Sequence, residues 1–174
     1  MTDVKIRIAR DLTDEEKQVL SGGDPDPFGL GARLDGYVSR PKDWHLFAEI
    51  DGRPAAHVGL LGHDVLVGDL PVAVAGMGGV LTAPEFRNRG LARRLLRESL
   101  PLMTRTLSAE FGFLFCFPRL LPFYERLGWK RLETPVLVDQ PGGGEAPHFL
   151  ETMILQLGSR DWPPGSVRLC SFPW

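Results

Sequence analysis

The sequence predicts one α+β (mixed α/β) domain spanning residues 1–174. Its 174 residues suit a single core. Hydrophobic residues at 43% and charged residues at 24% are ordinary for a globular protein. Strand-like and helix-like periodicities are mixed along the chain, with no repeat, domain linker or low-complexity tract.

Val4–Ala9 alternates like a first strand. Thr13-Asp14-Glu15-Glu16 has the spacing of a capping box, so a short helix runs to Ser21 and stops at Gly22-Gly23. Asp24–Gly36 is rich in Gly, Pro and Asp and is expected to be a loop before a brief element around Tyr37. His45–Ile50 and Ala55–Leu61 are expected strands joined by the hairpin turn Asp51-Gly52. A turn at Val67-Gly68-Asp69 leads into the strand Pro71–Thr82. Gly76, Gly78 and Gly79 within it mark a bulge or a close approach. Leu91–Leu107 is amphipathic at helical spacing, with Pro101 ending its regular part. Phe111–Phe117 is a buried strand and Leu120–Leu127 a short helix ended by Gly128. Lys130–Val138 and Phe149–Leu157 are late strands around the loop Gln140–Pro147, and the tail runs to Trp174.

Composition narrows the function. No apolar run approaches the ~18 residues of a membrane span, and Met1–Lys5 lacks a signal-peptide layout. Two cysteines, Cys116 and Cys170, give neither a disulfide framework nor metal-ligand spacing, so a cytoplasmic protein without a metal is expected. A net charge of −2 speaks against nucleic acid as a partner. The cluster Arg87, Arg89, Arg93, Arg94 and Arg97, with no interleaved aromatics, suits a small polyanion better.

In Val80–Ala92 a strand enters a short loop that opens a helix. A helix start has unpaired N–H groups and a partial positive charge, which attract phosphate. Gly90 and the small Ala92 let a pyrophosphate lie on the backbone, and Arg87 and Arg89 add charge-assisted contacts.

Arg87-Asn88-Arg89-Gly90-Leu91-Ala92 resembles the cofactor signature of the GNAT acyltransferases, Gln/Arg-x-x-Gly-x-Gly/Ala. Pro84-Glu85-Phe86 and Leu91–Leu96 also look like that family, as does Phe123-Tyr124-Glu125-Arg126-Leu127-Gly128-Trp129. The resemblance implies a twisted, mostly antiparallel sheet, split near its middle, with helices on both faces. It implies acetyl-CoA or another acyl-CoA as donor, a primary amine of a small molecule as acceptor, and often a homodimer. Residues 87–92 would hold the pyrophosphate, and Val80, Leu81 and Thr82 the pantetheine and the oxyanion. Tyr124 would protonate the departing thiolate. Where the family often places an Asn before the second helix, this chain has Pro118-Arg119-Leu120-Leu121-Pro122.

The acceptor side is less marked. Ala55–Leu61 and Asp161–Gly165 resemble the nodulation N-acyltransferases, while the terminal Trp and a strand His resemble the aminoglycoside 2'-N-acetyltransferases. An amino-sugar acyltransferase is therefore one alternative and a non-catalytic acyl-CoA sensor another. The carboxylates expected for a polycationic antibiotic are missing from the matching positions. His57 is the candidate general base, directly or through a water, because a neutral imidazole accepts the amine proton near physiological pH. A strand histidine satisfied by a backbone carbonyl is the equal alternative. His45, His63 and Cys116 are expected to be structural, and Trp44, Trp162 and Trp174 to be core or pocket wall.

Overall fold

The computed structural model describes residues 3–174. The hairpins form as the turn residues dictate. β1 (Val4–Ala9) pairs antiparallel with β2 (Trp44–Ile50), and β2 turns through Asp51-Gly52, both at positive φ, into β3 (Arg53–Val67). A second turn leads into β4 (Leu70–Thr82). β3 is much longer than Ala55–Leu61 because it keeps pairing with β4 through His63–Val67, where polar residues interrupt the apolar pattern.

The capping box forms as expected. Glu16 N–H donates to the Thr13 hydroxyl at 3.2 Å and Thr13 N–H to the Glu16 carboxylate at 2.9 Å, opening α1 (Asp14–Ser21). No regular element forms around Tyr37; the loop holds one 3-10 turn at Gly31–Leu34. The regular part of α2 (Leu91–Glu98) buries Leu91, Leu95 and Leu96, and after Pro101 a wide π turn covers Leu102–Thr106. β5 (Phe111–Cys116) and α3 (Leu121–Glu125) follow, and Gly128 at φ 89 ends the segment.

The expected strand Lys130–Val138 is two strands. Pro135 lies between β6 (Lys130–Leu132) and β7 (Val136–Asp139), and the pieces join different parts of the sheet. The expected loop Gln140–Pro147 contains β8 (Glu145–Pro147), and the expected strand Phe149–Leu157 is β9 (Glu151–Gln156). The tail supplies β10 (Val167–Arg168), held between β3 and β7.

These ten strands make one sheet whose main path is β6-β9-β5-β4-β3-β10-β7-β8, with β2 and then β1 branching from β3. Only β4–β5 and β7–β10 are parallel among the described pairings. The fold is α+β, with a curled, mostly antiparallel sheet. Alternation along the strands separates two cores. Ala56, Val58, Leu60 and Met77 face α2 and α3. Leu61, Val72, Val74 and Phe113 face the tail, where Trp174 is buried.

Gly76 lies on the tail face of β4, where a Cβ would sit 2.6 Å from Cζ2 of the Trp174 indole. The indole also meets Phe113 and Phe115, with ring centroids 5.8 and 5.9 Å away. His63 secures the tail. Its Nε2–H donates to the Leu169 carbonyl at 2.7 Å while Nδ1 accepts from Arg40 at 2.7 Å. Gly76→Ala is expected to lower the unfolding free energy by about 1–3 kcal/mol through overpacking. Urea melts followed by tryptophan emission check this, and an unchanged midpoint would show that the indole is not seated there.

Candidate functional site

The site begins where β4 and β5 part. Their parallel ladder runs from Val74–Phe111 to Met77–Leu114 and goes no further, although β4 continues to Thr82 and β5 to Cys116. The break coincides with a bulge in β4. His57 is opposite Leu81 and Gly59 opposite Gly78, so Gly79 and Val80 together oppose Val58. Gly79 takes φ +61, a left-handed conformation that suits glycine. Beyond the break lies a cleft of about 470 Å³. Its walls include Gly79, Val80 and Leu81 of β4, Cys116 of β5, Tyr124 of α3 and Trp174 of the tail.

Val80 and Leu81 line the cleft and Thr82 does not, although Leu81 and Thr82 both pair with β3, opposite His57 and Ala56. The Thr82 carbonyl accepts from Arg87 Nε at 3.3 Å, tying the arginine loop to the strand end. Arg89 donates to the Glu85 carbonyl at 3.2 Å and lies over the Phe86 ring. Asn88 at φ 62 and Gly90 at φ 73 are both left-handed, and Gly90 is the N-cap of α2 with no side-chain cap. Left-handed residues just before a helix turn successive N–H groups toward one concavity, an anion cradle in form. A Cβ at Gly90 would meet nothing within 4 Å, so the space above the cradle is open. Residues 87–90 are exposed, and Leu91 turns its side chain into the core, leaving only its backbone to the cradle. None of residues 87–92 lines the cleft itself; they lie just past the end of β4.

Tyr124 reaches the cleft from the opposite wall. It is 5% exposed, packs edge-on against Phe123 and Trp129, and donates no hydrogen bond among the described residues. Burial, with the Cys116 thiol adding to it, pushes the phenol well above its ordinary value, so it stays protonated. Cys116 also lines the cleft; burial pushes its thiol up to about 11, which leaves it a poor nucleophile.

His57 is placed otherwise than a free base requires. It is 3% exposed and Nδ1–H donates to the Gly79 carbonyl at 2.7 Å, since a carbonyl can only accept. Nε2 therefore holds the lone pair, but it lies 2.9 Å from Nδ1 of His45 and receives that ring's proton. Both His57 nitrogens are engaged within the protein, one of them on a backbone carbonyl. Burial, partly offset by the Gly79 hydrogen bond, pushes His57 down to about 4, with His45 and Lys42 pushing the same way. Burial also lowers His45, against the pull of the Lys42 carbonyl. The stacked pair borders a second cavity, of about 480 Å³, under α1, which shares Pro27, Phe28, Lys42, Gly79 and Leu81 with the cleft.

From the sequence His45 is expected to be structural, and Lys42 is not singled out. A signal for His45 existed: on β2 and β3 it shares a face with His57, as Phe47 opposite His57 and His45 opposite Gly59 require. Nothing local marked Lys42. Of the tryptophans, Trp174 is cleft wall, Trp162 packs on Phe111 and Phe113, and Trp44 lies under the Arg10 guanidinium. Among the described residues no helix is long and apolar enough to cross a membrane.

Comparison with known proteins bears on this arrangement. The family profile described as "Acetyltransferase (GNAT) domain" matches residues 24–132, from the loop after α1 through β6. A search of curated proteins finds no match to the sequence. Among solved structures, the fold resembles the GNAT family N-acetyltransferase YhbS from Escherichia coli, solved in complex with CoA. That likeness has a TM-score of 0.63 and 18% identity, over 98% of this chain and 91% of that one. A GNAT family acetyltransferase from Brucella melitensis, solved with acetyl-CoA, gives 0.53 and 20%, over 94% of each chain. The ribosomal-protein-S18-alanine N-acetyltransferase from E. coli gives 0.56 and 15%, over 90% and 97%. At such identities the structural likeness speaks for the fold. The sequence match, which spans the split strands and the cradle, speaks for the lineage: the chain belongs to the GNAT acetyltransferase family.

Proposed function

We propose that the protein transfers an acyl group, acetyl in the simplest case, from coenzyme A to a primary amine of a small molecule. The observation that carries this is the uncapped, open start of α2 directly after the strand that floors the cleft. A diphosphate on the N–H groups of residues 88–92 would be flanked by Arg87 and Arg89. The pantetheine would run along the unpaired edge of β4 at Val80, Leu81 and Thr82, where strand-like amide pairing is free to form. A thioester carbonyl beside the bulge would find backbone N–H groups for its developing oxyanion. Both solved relatives with CoA or acetyl-CoA bound share this fold, which supports the choice of donor.

In this reading the uncharged amine attacks the thioester carbon, forming the C–N bond and a tetrahedral oxyanion. Collapse breaks the C–S bond, and Tyr124 gives its proton to the leaving thiolate. Its raised pKa keeps the proton on the phenol until a thiolate develops. The amine's own proton leaves through the histidine pair. His45 takes that proton at its other ring nitrogen, while its Nδ1–H stays on His57 Nε2 and the His57 N–H stays on the Gly79 carbonyl, and it releases the proton to solvent in the second cavity, which it borders.

Gly90→Glu is expected to abolish measurable acetyl-CoA binding in calorimetry, since the new carboxylate fills the open cradle; unchanged affinity would remove the cradle assignment. Tyr124→Phe is expected to cut kcat by on the order of 10²-fold with acetyl-CoA affinity retained. Undiminished turnover would end its role as acid. His45→Ala and His57→Gln are each expected to slow kcat near pH 7 by on the order of 10²-fold. As members of one relay they should not add in the double variant; additive losses would disconnect them.

A further inference from the structure

Lys42 is a group in the cleft that the chemistry above leaves idle. It lies just before β2, and its aliphatic stem occupies a trough made by two missing side chains. Gly59 and Gly78 face each other across the β3–β4 ladder. A Cβ at Gly59 would sit 2.7 Å from Lys42 Cγ, and one at Gly78 would sit 2.9 Å from Cε and 3.2 Å from Nζ. The trough thus delivers the ammonium to the cleft floor one residue before the Gly79 bulge, on the face of β4 opposite α2 and α3. The main-chain oxygen of Trp174 borders the same spot, 3.1 Å from that Cβ position.

The ammonium has no ion-pair or hydrogen-bond partner among the described side chains. Burial brings its pKa down to about 8, so it is still mostly charged at neutral pH. No side chain of the cleft is a counter-ion for it; the main-chain oxygen of Trp174 lies at the same spot, and Asp24 lines the adjoining cavity that Lys42 also borders. The charged residues lining the cleft are Lys42 and Arg119, and no Asp or Glu side chain lines it. Much of the remaining wall is apolar and aromatic, with Phe28, Leu34, Phe115, Leu150 and Trp174. A half-buried cation without a partner is costly to the folded protein, and an incoming anion removes that cost.

We infer that the acceptor amine bears a carboxylate and an apolar or aromatic body, in the manner of a free amino acid, with the Lys42 ammonium as the counter-ion of that carboxylate. This rests on the acyl-transfer reading of the cleft. Lys42 donates up to three hydrogen bonds and a carboxylate accepts them charge-assisted, which fixes the acceptor's orientation. The aromatic walls take the body. A polyamine or aminoglycoside brings further positive charge against Lys42 and finds no carboxylate lining the cleft, so it is selected against. The same positive charge lowers the pKa of an amine brought near it, favouring the uncharged nucleophile.

The test uses the whole chain with acetyl-CoA and matched acceptors that differ in charge: phenylalanine, phenylalaninamide and spermidine, with thiol release as the readout. The expected wild-type result is a kcat/KM for phenylalanine roughly 30-fold or more above that for its amide, the scale of a buried charge pair with one partner removed, with spermidine lowest. Lys42→Met, close in shape, is expected to collapse the phenylalanine-to-amide ratio to near one while acetyl-CoA binding in calorimetry persists. Lys42→Gln serves as a second variant. A wild-type enzyme that acetylates the amide or spermidine as well as phenylalanine overturns the inference and leaves the acyl-transfer reading standing. So does a ratio that survives both substitutions. A Lys42 effect confined to succinyl-CoA against acetyl-CoA would put the anion on the acyl group and also overturn it. Absence of both acetyl-CoA binding and thiol release with every amine sinks the parent reading with it.

Discussion

The parting of β4 from β5 after Met77 and Leu114 is the constraint on which the rest of the site depends. A parallel ladder is held by evenly spaced bonds, and one extra residue in one strand throws the next bonds out of step. Gly79 supplies that extra residue, and its left-handed φ lets the bulge form without a side-chain penalty. Farther along β4 the strand keeps β3 on one edge and loses β5 on the other. An unpaired edge inside a protein must be solvated or bound. Here it floors an open cleft, so the backbone itself is ready for a ligand with amides of its own.

The same stretch of β4 explains why glycine recurs at 76, 78 and 79. At 76 the indole of Trp174 needs the space; at 78 the Lys42 stem and the Trp174 main chain need it; at 79 the bulge needs the conformation. The first two lie on one face at strand spacing, so the tail and the loop before β2 meet over the cleft floor. The tail is anchored elsewhere, by β10 between β3 and β7 and by the His63–Leu169 contact. Holding Trp174 at the cleft therefore depends on contacts far from it, and the glycine stripe is useful only because those contacts exist.

What was legible in the sequence was local. The capping box at Thr13–Glu16, the Asp51-Gly52 turn, the amphipathic face of α2 and the loop 87–92 each declare themselves within a few residues, and each formed. The glycines of β4 were legible as a bulge or close approach, but not their partners. What stayed hidden depended on distant pairing. β8 and β10 are three and two residues long and have no periodicity of their own; they exist as strands because β7 and β3 hold them. Lys130–Val138 looked continuous because its apolar pattern spans Pro135, yet the halves serve different neighbours. The loop before β2 carried no pattern, so Lys42 was invisible, and the expected element near Tyr37 had no partner to pair with.

This division follows the chemistry. In the proposed reading a diphosphate rests on backbone N–H groups and flanking arginines contiguous in the chain, so the donor's grip is written as a short motif. The groups proposed to serve an acceptor come from Lys42 before β2, His45 and His57 on two strands, and Trp174 in the tail, brought together only by register and packing. Their spacing in sequence carries no chemical meaning. Changing the loop at 24–43 or the tail would alter charge and shape on that side without disturbing the cradle or the bulge. A fold that separates the two in this way can hold one donor constant while the acceptor varies. For that reason the family match names the reaction, while the acceptor has to be argued from the charge and shape of this particular cleft.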